Sequence, residues 1–238
     1  MKHYLYFSFL LICISTNAQT NDNLLVSRVD SIFSPKLTGE TFIERNGYKG
    51  EQYFNKNWVK GDILLSTGEM VYGVSLKYNG LLDELIWVNA SFRQFKLDKS
   101  FICEFWIKNE TGVTSHFKRI NIDKLNREQH SDIFAEVRVE GKTSLYIQRK
   151  ISVVKEENIY QDGFLYLLIS ISETPLYYIK LPSNHYSVLE KIRRRSFIKL
   201  FPEQKKAILK LIRTNHLNLK SEDDLIKTIE LMNEKVVI

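Results

Sequence analysis

The chain of 238 residues is poor in cysteine, proline and glycine. Its two cysteines are Cys13 and Cys103. Cys13 lies in an N-terminal leader, so the mature chain keeps one thiol and no internal disulfide is expected. Stability must then come from a packed core, which a chain of this length can build. A single thiol also excludes a zinc site made of paired cysteines. The histidines of the mature chain, His116, His130, His185 and His216, are scattered singly. HExxH and an Asp-rich calcium loop are both missing, so no metal and no cofactor is expected. The four prolines and ten glycines form no cluster, which excludes a Pro/Gly/Ser linker and a low-complexity tract. No stretch reaches the eighteen continuous apolar residues or so of a membrane-spanning helix, so the mature chain has none.

What is there begins with MKHYLYFSFLLICISTNAQT. Lys2 supplies a positive start, Tyr4 to Ile14 an apolar run, and Ala18 a small residue before polar Gln19 to Asp22. This is the pattern of a cleavable signal peptide over residues 1–18. Ile12 is bulky where lipidation at Cys13 would need a small residue, which argues against a lipoprotein. The chain is therefore expected to be exported and to be periplasmic, outer-membrane-associated or extracellular. Residues 19–57 form a polar N-terminal extension with short elements around Leu24 to Phe33 and Thr41 to Glu44.

From Trp58 the pattern has period two, and residues 58–182 read as a β-rich domain. Met70, Tyr72, Val74, Leu76 and Tyr78 alternate with Val71, Gly73, Ser75 and Lys77. With Asp62 to Leu65 and the turn Ser66-Thr67-Gly68-Glu69 they predict a β-hairpin. Gly73 within the second strand predicts a bulge or a close backbone approach. A phosphate-binding loop would need a helix next, and a strand follows instead. Further strands are expected over Leu85 to Val88, Ser91 to Leu97, Phe101 to Lys108, Val113 to Ile120, Ile133 to Val139, Leu145 to Val153, and Leu176 to Leu181. FLYLLISI, residues 164–171, is apolar on both faces and reads as a central strand covered on both sides. In Phe101 to Ile107 the alternation places Cys103 with Phe101, Phe105 and Ile107 on an inner face. The thiol is then a small buried apolar group rather than a nucleophile activated by His116.

Residues 183–238 change to helical spacing. A helix is expected over Val188 to Leu200. Pro202 opens a second, with Ala207, Ile208, Leu211 and Ile212 inward. Ser221 with Glu222, Asp223 and Asp224 resembles a capping box opening a third, with Leu225, Ile226, Ile229 and Met232 inward. Strands first and helices last predict an α+β fold. It consists of a mostly antiparallel sheet, a partly closed barrel or sandwich of about nine or ten strands, followed by two or three C-terminal helices packed on or beside it. Short strands and a helical C-terminus argue against an outer-membrane barrel.

The charge is unevenly placed. The precursor carries +6, yet residues 190–220 hold ten Lys or Arg against two Glu, a local balance of +8. Lys191, Arg193, Arg194, Arg195, Lys199, Lys205, Lys206, Lys210 and Arg213 are the candidate binding residues. They are either the solvated face of amphipathic helices or a site for an anionic envelope component or acidic protein. Nucleic acid is not expected, because no base-stacking aromatics are interleaved with the cations. Catalytic signals are weak. The acid pairs Asp83-Glu84, Glu156-Glu157 and Asp223-Asp224 read as solvated turn or helix-start carboxylates. Neighbouring His130-Ser131-Asp132 cannot fold back into a triad.

The Ala18-Gln19 junction, NWVKGDILLSTGEMVYGVSLKYN and FIKLFPEQKKAILKLIRTNHLNLKSEDDLIKTIELMN resemble a family of exported Bacteroidota proteins of unknown function. The resemblance implies a signal peptide, a β-rich region, a Lys-rich helical C-terminus and an envelope or extracellular address. It implies no activity. The sequence thus points to a non-enzymatic binding or interaction protein of the cell envelope. The alternative is a secreted hydrolase with its site assembled from separate strands.

Overall fold

A computed structural model describes residues 37, 39–44, 47–108, 112–122 and 132–235. The signal peptide, the element around Leu24 to Phe33 and the His130-Ser131 pair lie outside the described residues.

The α+β class holds: the strands come first and three helices last. Strands β1 (Gly39–Thr41), β2 (Tyr48–Lys49), β3 (Val59–Leu65), β4 (Met70–Asn79), β5 (Glu84–Val88), β6 (Gln94–Leu97) and β7 (Ile102–Lys108) come first. They are followed by β8 (Thr114–Asn121), β9 (Asp132–Val139), β10 (Ser144–Gln148), β11 (Ile151–Gln161), β12 (Phe164–Glu173), β13 (Leu176–Lys180) and β14 (Tyr186–Leu189). Helices α1 (Arg194–Ile198), α2 (Lys205–Thr214) and α3 (Glu222–Lys235) complete the described chain. Eleven strands form one sheet in the order β1-β6-β5-β4-β3-β7-β8-β9-β10-β13-β14, antiparallel throughout. The sheet is open, with β1 and β14 at its edges, and does not close into a barrel. Strands β11, β12 and β2 make a second, small sheet, in which β2 runs parallel to β12.

The expected hairpin is β3–β4. Leu65 N–H donates to the Glu69 carbonyl and Gly68 N–H to that of Leu65, both at 2.9 Å. Gly68 supplies the left-handed φ of +85° that the turn needs. Gly73 is a bulge: Tyr72 and Gly73 together face Asp62, and Gly73 at φ +68° donates its N–H to Asp62 Oδ1 at 2.9 Å.

The inner face of this half carries an aromatic cluster. Phe105 stacks on Phe117 with centroids 4.7 Å apart, and Phe134 meets Phe105 edge-on at 5.1 Å. Tyr78 lies 5.1 Å from Phe117. Each such pair contributes about 0.5–1.5 kcal/mol beyond its burial. In β7 the expected parity is broken. Leu64 faces Glu104 and Leu65 faces Ile102, so Cys103 is an extra, bulged residue. The bulge turns Ile102 inward and Phe101 outward, leaving Cys103 half-buried rather than in the core.

At the other end, β10, β13 and β14 share a core with the helices, in which Leu145, Ile147 and Ile179 meet Phe197, Ile208, Ile212 and Ile229. The inward stripes expected of α2 and α3 hold at Ile208, Leu211, Ile212, Leu225, Ile229 and Met232, while Ala207 is exposed and Ile226 half-buried. Ser221 Oγ accepts from Asp224 N–H at 3.2 Å, the cap expected of α3.

Two further expectations are overturned. The helix over Val188 to Leu200 shrinks to α1, because Tyr186–Leu189 pairs with β13 as a strand, and Pro202 lies in the turn before α2. FLYLLISI is not a covered central strand. It is most of β12, in a long ribbon with β11 that carries Phe164, Leu165, Tyr166 and Leu167 exposed. The ribbon is an insertion in a hairpin: β10 and β13 pair directly as far as Gln148 opposite Leu176, and the chain between them leaves the large sheet. Pro175, which has no N–H to donate, marks the break.

Candidate functional site

The structure divides the nine basic residues into three groups. Arg194, Arg195 and Lys199, on and just after α1, and Lys205, at the start of α2, line one cleft of about 670 Å³. Its remaining lining is Ile198, Pro202 and Leu209. Lys191 and Arg193 line a second hollow of about 480 Å³ that also holds Glu190. Lys206, Lys210 and Arg213 stand exposed in one stripe of α2, opposite the face that buries Ile208, Leu211 and Ile212. None of the nine has a carboxylate partner among the described residues. The amphipathic periodicity of α2 foretells the outward stripe. The cleft depends on the α1–α2 turn, which periodicity does not encode.

The ribbon is the surface that sequence reasoning placed inside. In its register Tyr160 faces Leu165, Ile159 faces Tyr166 and Asn158 faces Leu167. One face near the tip therefore carries Phe164, Tyr166 and Ile159, and the other Leu165, Tyr160 and Leu167. Leu165 is 64% exposed, Phe164 65% and Tyr160 77%. β2 pairs only with Ile169 and Ser170, so nothing among the described residues pairs with β12 beyond them except β11. The tip is a tight turn, with Asp162 at φ +50° and Gly163 at φ +81°. Further down β11 the side chains are Lys155, Glu156 and Glu157, with Lys155 Nζ donating to Glu157 Oε2 at 2.6 Å.

The ribbon root is pinned by ions. Arg149 donates from Nη1 and Nη2 to the two carboxylate oxygens of Glu222, both at 2.8 Å, and from Nε to Glu136 Oε2 at 2.6 Å. Arg138, the bulged residue of β9, adds a 3.2 Å contact to the other Glu136 oxygen. Burial opposes the Arg149 charge, but Glu222 and Glu136 outweigh it and hold the guanidinium more firmly protonated than usual. Arg149 therefore ties the sheet, α3 and the ribbon together.

A second, half-buried network surrounds Asp83, which is not the solvated turn acid expected. Its carboxylate accepts from Lys99 Nζ at 2.6 Å, from the Tyr78 hydroxyl at 2.8 Å and from Phe134 N–H at 3.3 Å. Burial pushes the Asp83 carboxyl above its usual range, outweighing the pull of Lys99, and pushes Tyr78 up as well. Asp83 and Lys99 also line a hollow of about 490 Å³ with Glu40, Glu84 and Lys96. The polar atoms of Tyr78, Asp83 and Lys99 are engaged with one another, which is what a structural latch requires.

Cys103 and His116 do not form a reactive pair. His116 Nε2 meets Glu104 Oε2 at 2.7 Å and its ring stacks on Trp106 at 4.7 Å. Burial works against the Glu104 charge, but Lys118 and His116 hold its carboxyl below the usual range. His185 and His216 are exposed in turns. No group of three metal-ligating side chains occurs among the described residues, and no helix among them is long and apolar enough to cross a membrane.

These features define an α+β chain with an open antiparallel sheet, an inserted apolar ribbon and a basic helical end. No family model matches it, and no curated protein or solved structure matches it significantly.

Proposed function

We propose that this chain is a non-enzymatic interaction protein of the cell envelope, with the β11–β12 ribbon as its docking element. The leader over residues 1–18 is the ground for an exported protein. The basic helices contribute contacts to an anionic envelope component or acidic protein, and nucleic acid is not among the partners.

The observation that carries the reading is apolar exposure on both faces of the ribbon tip. A flat docking patch needs one apolar face. Two apolar faces at one tip suit a partner that surrounds the ribbon, such as an apolar groove in another protein. Between Glu157 and Leu168 the charged side chains are Glu157 and Asp162, with no Lys or Arg. That fits a protein groove better than an anionic bilayer, which attracts cations. The charged edge at Lys155 to Glu157 resists addition of a further strand there, so the faces rather than the edge are offered.

The test is recovery of partners from envelope extracts by the tagged mature chain at low and high salt. A variant with Phe164→Ser, Leu165→Ser and Leu167→Ser should lose a partner that survives high salt. If the same partners are recovered with and without these substitutions, the ribbon is not the docking element. Charge reversal of Arg193, Arg194 and Arg195 should instead remove partners that are already salt-sensitive.

The hydrolase alternative draws on Asp83 and Lys99 beside their hollow. It requires one of them to release its present partner, and Lys99→Met without any loss of a hydrolytic activity would dispose of it.

A further inference from the structure

We propose that the cleft between α1 and α2 binds a phosphate-headed amphiphile: a lipid with one phosphate head group on an acyl chain. This deepens the anionic-partner part of the reading above and does not depend on the ribbon. Arg194, Arg195, Lys199 and Lys205 converge on one cleft of about 670 Å³, a size suited to a ligand of drug-like dimensions. All four are exposed and lack a carboxylate partner among the described residues, so their charge is free to meet a ligand. Between them lie Ile198, Pro202 and Leu209, which give the cleft an apolar floor. A bare anion would use the cations and leave the floor wet. A neutral chain would use the floor and leave the cations unused. A ligand with a phosphate at one end and hydrocarbon at the other uses both. Two adjacent guanidinium groups favour phosphate over a single carboxylate, because each presents a planar fork that fits two phosphate oxygens. Lys206, Lys210 and Arg213 are also exposed cations, but they stand on the outward stripe of α2 and do not line the cleft, and so provide an internal control.

The experiment is titration of the full mature chain with a short-chain lysophosphatidate below its micelle concentration. Inorganic phosphate and a neutral lipid of the same chain serve as head-only and chain-only probes. Lysophosphatidate should bind most tightly and weaken with salt. Arg194→Glu with Arg195→Glu should weaken it at least about tenfold, the loss expected when charge-assisted bonds are removed. Lys199→Glu with Lys205→Glu should do the same from the other side of the cleft, and Leu209→Gln should weaken only the chain-bearing ligand. Lys206→Glu with Lys210→Glu should change affinity less than about twofold, although it alters net charge equally. Equal weakening by the stripe variant, equal affinity for inorganic phosphate, or equal affinity for the neutral lipid would each overturn the assignment. Failure here with continued salt-sensitive recovery of an envelope partner would reject the lipid and leave the broader reading standing.

Discussion

Replacing Arg149 by Met should destabilise the chain by about 3 kcal/mol, and the structure fixes where that cost arises. Arg149 meets two carboxylates in different surroundings. Glu222 is 24% exposed at its side chain, so that arm resembles a surface pair and contributes at most about 1 kcal/mol. The Glu136 side chain is only 3% exposed, and Arg149 supplies its 2.6 Å partner. Methionine fills a similar volume but strands a buried carboxylate, and stranding one member of a buried pair costs about 3–5 kcal/mol. Arg138 keeps its 3.2 Å contact to Glu136, which places the loss near the lower end. Urea unfolding of the purified mature chain would read the change as a shift in midpoint at constant slope. The double variant Arg149→Met with Glu136→Leu isolates the cause. Once the stranded charge is gone, most of the lost stability should return, because apolar replacement of a buried ion pair is often near neutral. A single-variant loss below about 1 kcal/mol would refute the reasoning, because that is the range of a surface pair. So would a double variant less stable than the single.

Gly73→Ala should cost about 1–2 kcal/mol through the backbone alone, since φ is +68° and the space around an added Cβ is open; unchanged urea stability would show that the bulge can flatten without loss. The Asp83 carboxyl should titrate above 3.8 in the folded chain, as followed by carbon NMR of labelled aspartate. The folded chain holds that proton more tightly than the unfolded one, so this group's contribution to stability is complete below 3.8 and is lost as pH rises through the folded-state value. A midpoint at or below 3.8 would contradict the burial argument.

Local rules explain why some of this fold was legible. The β3–β4 hairpin, the Gly73 bulge and the Ser221 cap follow from residues close in sequence, where turn chemistry, glycine freedom and helix capping act directly. The failures share a cause, since each depends on a partner distant in sequence. Cys103 leaves the inner face because the register of β7 against β3 slips by one residue. Val188 joins a strand rather than a helix because Tyr178 stands opposite it. Asp83 is drawn out of solvent by Lys99, sixteen positions away, and Phe134, fifty-one away. At the basic end, spacing marks the Lys206, Lys210 and Arg213 stripe, whereas the cleft arises from how α1 meets α2.

The ribbon is the most informative disagreement between sequence and structure. An apolar run on both faces normally means burial on both sides, because each apolar square ångström left in water forgoes about 25 cal/mol. This chain leaves Phe164, Leu165, Tyr166 and Leu167 uncovered at the end of a ribbon firmly anchored at its root. Ile151 donates its N–H to the Gly80 carbonyl at 2.9 Å, Thr174 to that of Lys150 at 2.8 Å, and Arg149 ties the root to α3. The charges at Lys155, Glu156 and Glu157 lie between root and tip, where they discourage indiscriminate strand pairing. A held root, a charged middle and an exposed apolar tip are the features on which the proposed docking role of the ribbon rests.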